Sequence, residues 1–431
     1  MLVEVNNWTR FPHSRSVVIP VNSQDQDIPF RQLSTSFLPY GMGRSMGDSC
    51  LNHDNALLFT RGLKRVISFD PVQGRLTAEA GITFDEIIRL ALPQGWFLPV
   101  TPGTRFVTLG GAVANDVHGK NHHCEATFGH HVIRFQLRRS DGCRLSCSRD
   151  ENQAWFRATI GGLGLTGLLE WIEVQLKPVL NSWIDCETIR YENVDEFHAL
   201  SAESTEKFEH VVAWVDSLTT RPLGRGVFMR GNHNRDPQRT ERIAPGAAKI
   251  KVPFIPPFSL VNQWTLKAFN TAYYWAKPQR KATSVPLGSF FYPLDQIGAF
   301  HRMYGPGGMI QWQALIPSKE AAREVLLSAL RMGGSFLTVM KVMGNHPPFG
   351  LLSFSGPGIT IALDFPYSAA VLGALPRLDE IVAAVGGRLY PAKDARMSGS
   401  HFRRFYPQWE ELRPFIDPRF SSSFWRRVTA S

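Results

Sequence analysis

The chain has 431 residues, of which 43% are hydrophobic and 19% are charged. This length favours two domains, and the composition argues against disorder. The net charge of +10 favours anionic partners such as phosphate-bearing ligands or acidic membrane surfaces, although a solvated basic surface without a partner is equally compatible with it. The five cysteines form no zinc-binding pattern and favour a reducing compartment. Apolar runs long enough for a leader or a spanning helix are absent, so we expect a cytoplasmic protein.

Residues 1–180 are predicted to form short strands and one clear helix. Thr83 and Glu86 form a capping-box pattern, and the amphipathic helix that follows them ends before Pro93 and Gly95. Ser-Asp-Gly at 140–142 is typical of a hairpin turn. We predict strands at 66–69, 75–80, 132–137, 144–148 and 169–176.

Residues 181–385 show longer strands mixed with helices. Strands are predicted at 211–215, 226–229, 309–316, 336–342 and 359–365, and helices at 318–332 and 368–384. This order favours an antiparallel sheet with helices on one face, and therefore an α+β fold. We predict one domain over 1–180, a second over 181–385, and a return segment over 386–431 that completes the first domain.

The segment 231–283 differs in composition from the rest of the second domain. Its first half is basic and rich in proline and turn-forming residues, so we expect it to be irregular. Its second half mixes aromatic residues with lysine and arginine. This composition suits a mobile lid or a surface that contacts lipid headgroups, and it suits a packed insertion equally well.

Three glycine-rich clusters lie within about 130 residues of one another. They are GMGRSMGD at 41–48, PGTRFVTLGGAVANDVHGKNHH at 102–123 and GGLGLTG at 161–167. A single cluster of this kind is more often a tight turn than a ligand site. Glycines let the backbone approach a ligand closely, and successive N–H groups can form an anion-binding nest. The three clusters together predict one extended ligand with a pyrophosphate and flat rings.

In this order the clusters resemble the FAD-binding domain of the vanillyl-alcohol-oxidase superfamily. HGKNHH is the most specific motif, and FYPLD, YGPGGMIQWQALIP, LDFP and GGRLYPAKDAR extend the likeness through most of the chain. Within the superfamily the sequence is most similar to the decaprenylphosphoryl-β-D-ribose 2-oxidase family, the flavin half of a two-enzyme epimerase. Residues 231–283 match only loosely. The resemblance implies a two-subdomain FAD-binding domain and an antiparallel-sheet substrate domain.

The resemblance also implies a set of FAD-binding residues. Many superfamily members bind FAD covalently through a histidine in the first loop, and Met46 occupies that position here, so we expect noncovalent FAD. The implied cofactor-binding residues are Gly41, Gly43, Arg44, Ser45, Met46, Gly47, Asn52, Pro102, Gly103, Thr104, Thr108, Gly110, Gly111, Asn115, Val117, His118, Gly119, His123, Leu168 and Tyr390.

Substrate-binding residues are predicted partly from the residues themselves. Gln311 and Gln313 share one face of a predicted strand, and their amides need polar partners such as sugar hydroxyls. Lys341 lies within an apolar strand, where it is either functional or a gatekeeper on an edge strand. Trp214 could stack on a sugar ring or belong to the core.

Three further positions follow from the resemblance. Lys393, next to Asp394, would ordinarily form a surface pair, but the family places this lysine at the flavin. Thr360 and Ala362 replace an asparagine and a cysteine of the family beside the flavin. Together with Met46, which replaces a tyrosine of that family, they put the identity of the substrate in doubt.

Two other kinds of site find little support in the sequence. The adjacent His122 and His123 point to opposite faces of an extended chain, and no nearby set of acidic or thiol groups completes a metal geometry with them and His118, so we expect no metal. The pairs Arg403-Arg404 and Arg426-Arg427 are predicted to be solvated, because no nucleic-acid motif accompanies them. We therefore expect no nucleic-acid partner.

The expected activity is FAD-dependent oxidation of a sugar hydroxyl, with hydride transfer to flavin N5. The resemblance implies the 2-hydroxyl of a polyprenyl-phosphate pentose, with Lys393 or His118 handling the proton. An NAD(P)H-dependent reductase would then complete an epimerisation, and peripheral contact with the inner membrane would suit a lipid-linked substrate. Two alternatives remain: an aldonolactone or alditol oxidase that uses a soluble polyol and oxygen, and a non-catalytic flavin-binding protein.

Overall fold

The structure is a computed structural model that describes residues 1–219 and 222–430. The strands are β1 (Leu2–Val5), β2 (Ser14–Pro20), β3 (Phe37–Tyr40), β4 (Ala56–Phe59), β5 (Val66–Asp70), β6 (Arg75–Glu79), β7 (Trp96–Phe97), β8 (Val132–Arg138), β9 (Arg144–Ser148), β10 (Leu168–Gln175), β11 (Lys177–Pro178), β12 (Trp183–Tyr191), β13 (His210–Val215), β14 (Gly226–His233), β15 (Ile250–Lys251), β16 (Arg280–Pro286), β17 (Ile297–Gly298), β18 (Met309–Ile316), β19 (Thr338–Met343), β20 (Gly358–Pro366) and β21 (Arg388–Leu389).

The α-helices are α1 (Phe84–Ala91), α2 (Leu109–Ala114), α3 (His122–Glu125), α4 (Gln153–Thr159), α5 (Val194–Ser204), α6 (Gln263–Trp275), α7 (Leu287–Phe291), α8 (Lys319–Arg331), α9 (Ala369–Ala384), α10 (Gly399–Phe405), α11 (Trp409–Leu412) and α12 (Ser423–Thr429). None of these helices is both long and apolar enough to cross a membrane.

Three small sheets form within the first 180 residues, one of which is only the pairing of β7 with β11. The first has the order β1-β2-β4-β3, in which β2 and β3 both pair in parallel with β4. The second has the order β5-β6-β10-β8-β9 and is antiparallel. The predicted capping box is confirmed, because the Thr83 hydroxyl accepts from the Glu86 N–H and the Glu86 carboxylate accepts from the Thr83 N–H. The predicted hairpin of β8 and β9 is also confirmed.

An eight-stranded antiparallel sheet forms the centre of the second half. Its order is β16-β12-β14-β13-β19-β20-β18-β21, and helices α5, α8 and α9 cover one face. Along β18, Ile310, Trp312 and Ala314 belong to the core under these helices. Gln311 and Gln313 point to the opposite face, since successive side chains of a strand alternate. The predicted α+β fold with an antiparallel sheet and helices on one face is confirmed.

Residues 390–427 return to the first glycine-rich loop. The Met46 N–H donates to Ala392 O at 2.8 Å, and the Asp48 N–H donates to Asp394 O at 3.3 Å. The Arg427 guanidinium contacts the carboxylates of both Asp48, at 2.7 Å, and Asp394, at 2.8 Å. Our prediction that Arg427 is simply solvated is therefore wrong: this side chain bridges two buried acids from distant parts of the chain.

Two local predictions also need correction, and helix α2 was not predicted. Gly231–His233 form the end of β14, so the segment from 231 is not irregular at its start. The gatekeeper alternative for Lys341 fails because β19 lies between β13 and β20 and is not an edge strand. Gly110 and Gly111 lie in helix α2, where the sequence predicts only close backbone approach.

Candidate active site

A large cavity lies between the glycine-rich clusters and the open face of the eight-stranded sheet. Its volume is about 840 Å³, at the upper end of the range that is usual for small-molecule and cofactor sites. Most of the sequence-predicted site residues line it. These are Gly41, Gly43, Arg44, Ser45, Met46, Pro102, Gly103, Thr104, Thr108, Gly110, Gly111, Asn115, Val117, His118, Gly119, Leu168, Trp214, Gln311, Gln313, Lys341, Thr360, Ala362, Tyr390 and Lys393.

Three predicted cofactor residues do not line the cavity. Gly47 packs on the return segment, where a side chain would overlap Asp394 O. The Asn52 amide is fully buried and donates to the carbonyl oxygens of Ser36 and Ala56, which holds the base of the loop. The His123 ring contacts Phe208 O through Nε2 at 2.8 Å. The structure therefore places these three residues outside the cavity, where each packs against the protein and supports the site.

The first glycine-rich loop presents backbone N–H groups to the cavity. Gly43 has a φ of +58°, a left-handed conformation that favours glycine. The N–H groups of Met42, Gly43 and Arg44 donate to no acceptor within residues 1–219 and 222–430. The Arg44 guanidinium lies 4.1 Å from the centre of the Trp8 ring and adds a positive charge to the lining of the cavity. The loop therefore has the donors and the charge that an anionic group such as a pyrophosphate needs.

The second cluster supplies buried polar atoms without protein partners. The Thr108 hydroxyl caps α2 by accepting from the Gly111 N–H at 3.2 Å. Asn115 Oδ1 and His118 Nδ1 are buried and lack a hydrogen-bond partner among the described residues. A buried polar atom without a partner is costly unless a ligand supplies one. These orphaned atoms and the side-chain-free surface at Gly110 and Gly111 fit a flat cofactor with polar edges.

The sheet face opposite these loops carries a row of polar side chains. Gln313 Nε2 donates to Thr360 Oγ1 at 2.9 Å and lies 3.2 Å from His118 Nε2. Gln311 donates to the Asp364 carboxylate on the neighbouring strand. Because β18 and β20 pair antiparallel with Gln311 opposite Asp364, these groups share one face of the sheet. These side chains form one end of the cavity, where they present hydrogen-bond donors and acceptors at fixed spacing.

Two partly buried lysines lie within this polar end of the cavity. Lys393 Nζ is 3.3 Å from Met46 Sδ, and burial lowers its pKa while the Asp364 carboxylate raises it. Lys341 Nζ is 3.5 Å from Gly119 O, and burial, with the nearby charge of Lys393, lowers its pKa to about 8. Burial also lowers the pKa of His118 well below its ordinary value, so the imidazole is neutral at pH 7. The site therefore holds basic groups that can lose a proton near neutral pH.

Trp8, Lys120 and Asp364 are among the residues of the cavity and its polar end that the sequence did not single out. Trp8 lies in an N-terminal loop without any periodic pattern, so no sequence signal identifies it. Lys120 lies inside the HGKNHH motif and donates to Phe290 O, and burial lowers its pKa to about 7. Asp364 follows Thr360 and Ala362 at a spacing of two on the same predicted strand. That alternation could have assigned Asp364 to the same face.

One group of side chains that could hold a metal ion lies outside the cavity. Among the described residues, Glu209, His210 and His233 bring one ligand atom each to within 4.8 Å of the others. The sequence did not predict this group, since His233 lies more than 20 residues from the other two and meets them only through the pairing of β13 with β14. The Lys177 ammonium contacts the Glu209 carboxylate at 2.7 Å, so this carboxylate already has a cationic partner.

Comparison with known proteins identifies the class. The FAD binding domain family matches residues 29–148. The chain is 32% identical to decaprenylphosphoryl-beta-D-ribose oxidase of Mycolicibacterium smegmatis over 407 residues, which are 90% of this chain and 88% of the relative. It is also 32% identical to an uncharacterized protein of Streptomyces coelicolor, over 80% of this chain and all of that protein. L-gulonolactone oxidase of Scyliorhinus torazame is 29% identical over 32% of this chain and 31% of its own length.

The glycine loops, the orphaned polar atoms and these relatives define an FAD-dependent oxidoreductase. The chain belongs to the decaprenylphosphoryl-β-D-ribose oxidase family, within the vanillyl-alcohol-oxidase superfamily. The predictions of this family and of FAD as cofactor are confirmed.

Proposed function

We propose that this protein oxidises a ring hydroxyl of a sugar to a ketone, with the 2-hydroxyl of a polyprenyl-phosphate pentose as its target. A separate NAD(P)H-dependent reductase would then reduce the ketone from the other side and complete an epimerisation. The name of the Mycolicibacterium smegmatis relative, a decaprenylphosphoryl-beta-D-ribose oxidase, supports this substrate class. The observation that carries the proposal is that Lys393, Lys341 and Gln313 share one cavity with the three glycine-rich clusters.

The oxidation removes a hydride from the carbinol carbon and a proton from its hydroxyl. FAD, when bound, supplies the two-electron acceptor for the hydride. We assign the proton to Lys393, which must be neutral to accept it, and burial favours the neutral amine. His118 is the second candidate, because its Nε2 lies 3.2 Å from the Gln313 amide at the polar end of the cavity.

The remaining polar groups would orient the sugar. Gln313 can turn its amide from Thr360 to a sugar hydroxyl, and the charged form of Lys341 can pair with a phosphate. The Trp214 ring lines the cavity and meets Tyr273 of α6 edge to face at 4.8 Å, so its remaining face is offered to an apolar ring surface. Thr360 and Ala362 are small and leave room beside the reacting carbon.

We expect FAD to be held without a covalent bond. Thioether sulfur does not form the bond that a histidine forms in many superfamily members, and Met46 is the residue at that position. Acid precipitation of the purified holoenzyme should release its yellow colour entirely into the supernatant. Colour that stays in the denatured pellet would contradict the noncovalent assignment, and a colourless protein that takes up no added FAD would remove the basis of the proposed function.

Substrate preference distinguishes the proposed oxidase of a lipid-phosphate sugar from an oxidase of soluble polyols. Anaerobic bleaching of the bound flavin should be faster with a polyprenyl-phosphate pentose than with a free polyol, because only the former offers a phosphate to Lys341. A preference for free alditols or aldonolactones, together with rapid reoxidation by oxygen, would favour a soluble polyol oxidase instead.

The role of Lys341 predicts a pH dependence of substrate affinity. The pKa of about 8 means that the ammonium form, which pairs with phosphate, is present below pH 8 and lost above it. KM for a phosphate-bearing substrate should therefore rise by about tenfold for each pH unit well above 8. Lys341→Met should raise KM at pH 7 and flatten this dependence. A steep KM profile that persists in Lys341→Met would assign the titration to another group.

A further inference from the structure

Helix α6 carries its largest apolar side chains on the face that points away from the protein. Leu266, Asn270 and Tyr274, spaced by four residues, form its buried stripe. Trp264 and Trp275 are 82% and 61% exposed. Eleven residues separate them, which places them on one face of the helix, roughly opposite the buried stripe. In an ordinary surface helix the large apolar side chains face the core and the polar side chains face water.

The chain before α6 continues this exposed apolar surface. Ile250, Phe254 and Phe258 are 69%, 66% and 67% exposed. Every exposed phenylalanine and tryptophan in the part of the chain that the structure describes lies between 254 and 275. Surface apolar residues that are grouped in this way mark a contact surface, whereas scattered ones need no explanation.

The charged residues of the same segment are all basic. Residues 242–294 contain seven basic residues and no aspartate or glutamate. We name nine exposed side chains of this stretch the aromatic–basic surface; its members are Lys249, Ile250, Lys251, Phe254, Phe258, Trp264, Lys267, Trp275 and Lys281. Tryptophan and phenylalanine beside lysine and arginine are the combination that suits the headgroup region of an anionic bilayer.

The cavity opens beside this surface. Thr265, Phe269 and Tyr273 of α6 line the cavity, together with Leu260 from the preceding loop. Phe269 is 47% exposed although it lines the cavity, so it lies at the mouth. A bilayer that covers the aromatic–basic surface would therefore meet the mouth of the site.

We propose that the aromatic–basic surface docks this protein on an anionic lipid bilayer, with Trp264 and Trp275 inserted at the headgroup level. Docking requires these side chains alone. Its consequence, that a lipid-linked sugar passes directly from the bilayer into the cavity past Phe269, rests on the proposed function.

Vesicle sedimentation tests the docking without substrate. The purified FAD-loaded enzyme should bind vesicles of phosphatidylcholine with phosphatidylglycerol and should bind phosphatidylcholine alone at least about tenfold more weakly. Trp264→Ser with Trp275→Ser should lower the partition coefficient about tenfold or more. Reversal of three charges, Lys249→Glu, Lys251→Glu and Lys267→Glu, should lower it about 100-fold. The flavin spectrum and the bleaching of each variant by a detergent-solubilised substrate should stay as in the parent.

Matched variants control for exposure and net charge. Val72→Ser removes an exposed apolar side chain from the β5–β6 turn, and Lys64→Glu, Lys207→Glu and Lys319→Glu reverse three exposed charges outside the surface. Both should leave vesicle binding within about twofold of the parent. Equal loss in the control triple would show that net charge alone acts, and would overturn the assignment.

Two other outcomes would also overturn it. Equal binding to both vesicle types would show that the basic residues do not recognise anionic lipid, contrary to the proposal. A dimer in light scattering that the two tryptophan substitutions convert to a monomer, without vesicle binding by the parent, would assign the surface to a second copy of the chain. Vesicle binding combined with a flavin that no sugar bleaches would support the docking and reject the proposed function.

Discussion

Lys393→Met should lower the rate of flavin reduction by sugar about 10²- to 10⁴-fold, which is the usual contribution of a positioned acid or base. The substitution removes the only group that we assign to the hydroxyl proton, and it replaces a partly buried amine with an apolar chain of similar length. The thioether can pack against Met46, which Lys393 Nζ contacts at 3.3 Å, so FAD content should not change. Anaerobic stopped-flow bleaching of the holoenzyme measures the rate directly.

Lys341→Met is the matched control for this substitution. Both lysines are partly buried in the same cavity, and burial lowers the pKa of both. The Lys341 variant should raise KM while the rate at saturating substrate falls less than tenfold. If Lys341→Met slowed the saturated rate as much as Lys393→Met, the proton would have to be reassigned. A fully active Lys393→Met would leave His118 as the candidate.

Arg427→Leu should destabilise the protein by about 3 kcal/mol, since it leaves two buried carboxylates without their cation. Asp48 and Asp394 have side chains that are 5% and 3% exposed, and both contact the Arg427 guanidinium. The loss should appear as a lower urea midpoint of the apoprotein. FAD should also bind more weakly, because the same carboxylates hold the loop that carries Ser45 and Met46. Arg403→Leu, an exposed arginine in α10, is the control and should change stability by less than about 0.5 kcal/mol.

The sign of the pH dependence provides a second check on Arg427→Leu. Burial already raises the pKa of Asp48 above its ordinary value, and loss of the guanidinium raises it further. A carboxyl whose pKa is raised by folding destabilises the fold when it is ionised, so the deficit is present at neutral pH and shrinks as the pH falls through the raised pKa. A deficit that is constant between pH 7 and pH 5 would mean that lost packing, and not the unpaired acids, causes it.

Local patterns predicted the regular elements well. Helix α1 and strand β18 were predicted because capping residues and apolar spacing act within a few residues. The irregular start of the segment from 231 was predicted wrongly, since its first three residues pair with β12, which lies some 45 residues earlier in the sequence. Pairing between distant strands is not encoded in the composition of one of them.

The site residues likewise could be predicted where the signal is local in sequence, and could not where it depends on contacts between distant residues. The glycine-rich clusters and Gln313 carry their signal in residue type and spacing, and they line the cavity. Gly47 and His123 belong to the same motifs, but their contacts with Asp394 and Phe208 turn them away from it. The partnership of Gln311 with Asp364 depends on the register of two strands, which a motif does not reveal.

The bridge from Arg427 to Asp48 has a consequence for biosynthesis. One wall of the cofactor cavity comes from the first fifty residues, and the side chain that fixes it lies 379 residues further along the chain. A ribosome delivers Arg427 long after Asp48, so the nascent chain spends most of the intervening synthesis without this bridge. The nascent protein can therefore form its first sheets early, but Asp48 gains its cationic partner only once Arg427 has been made.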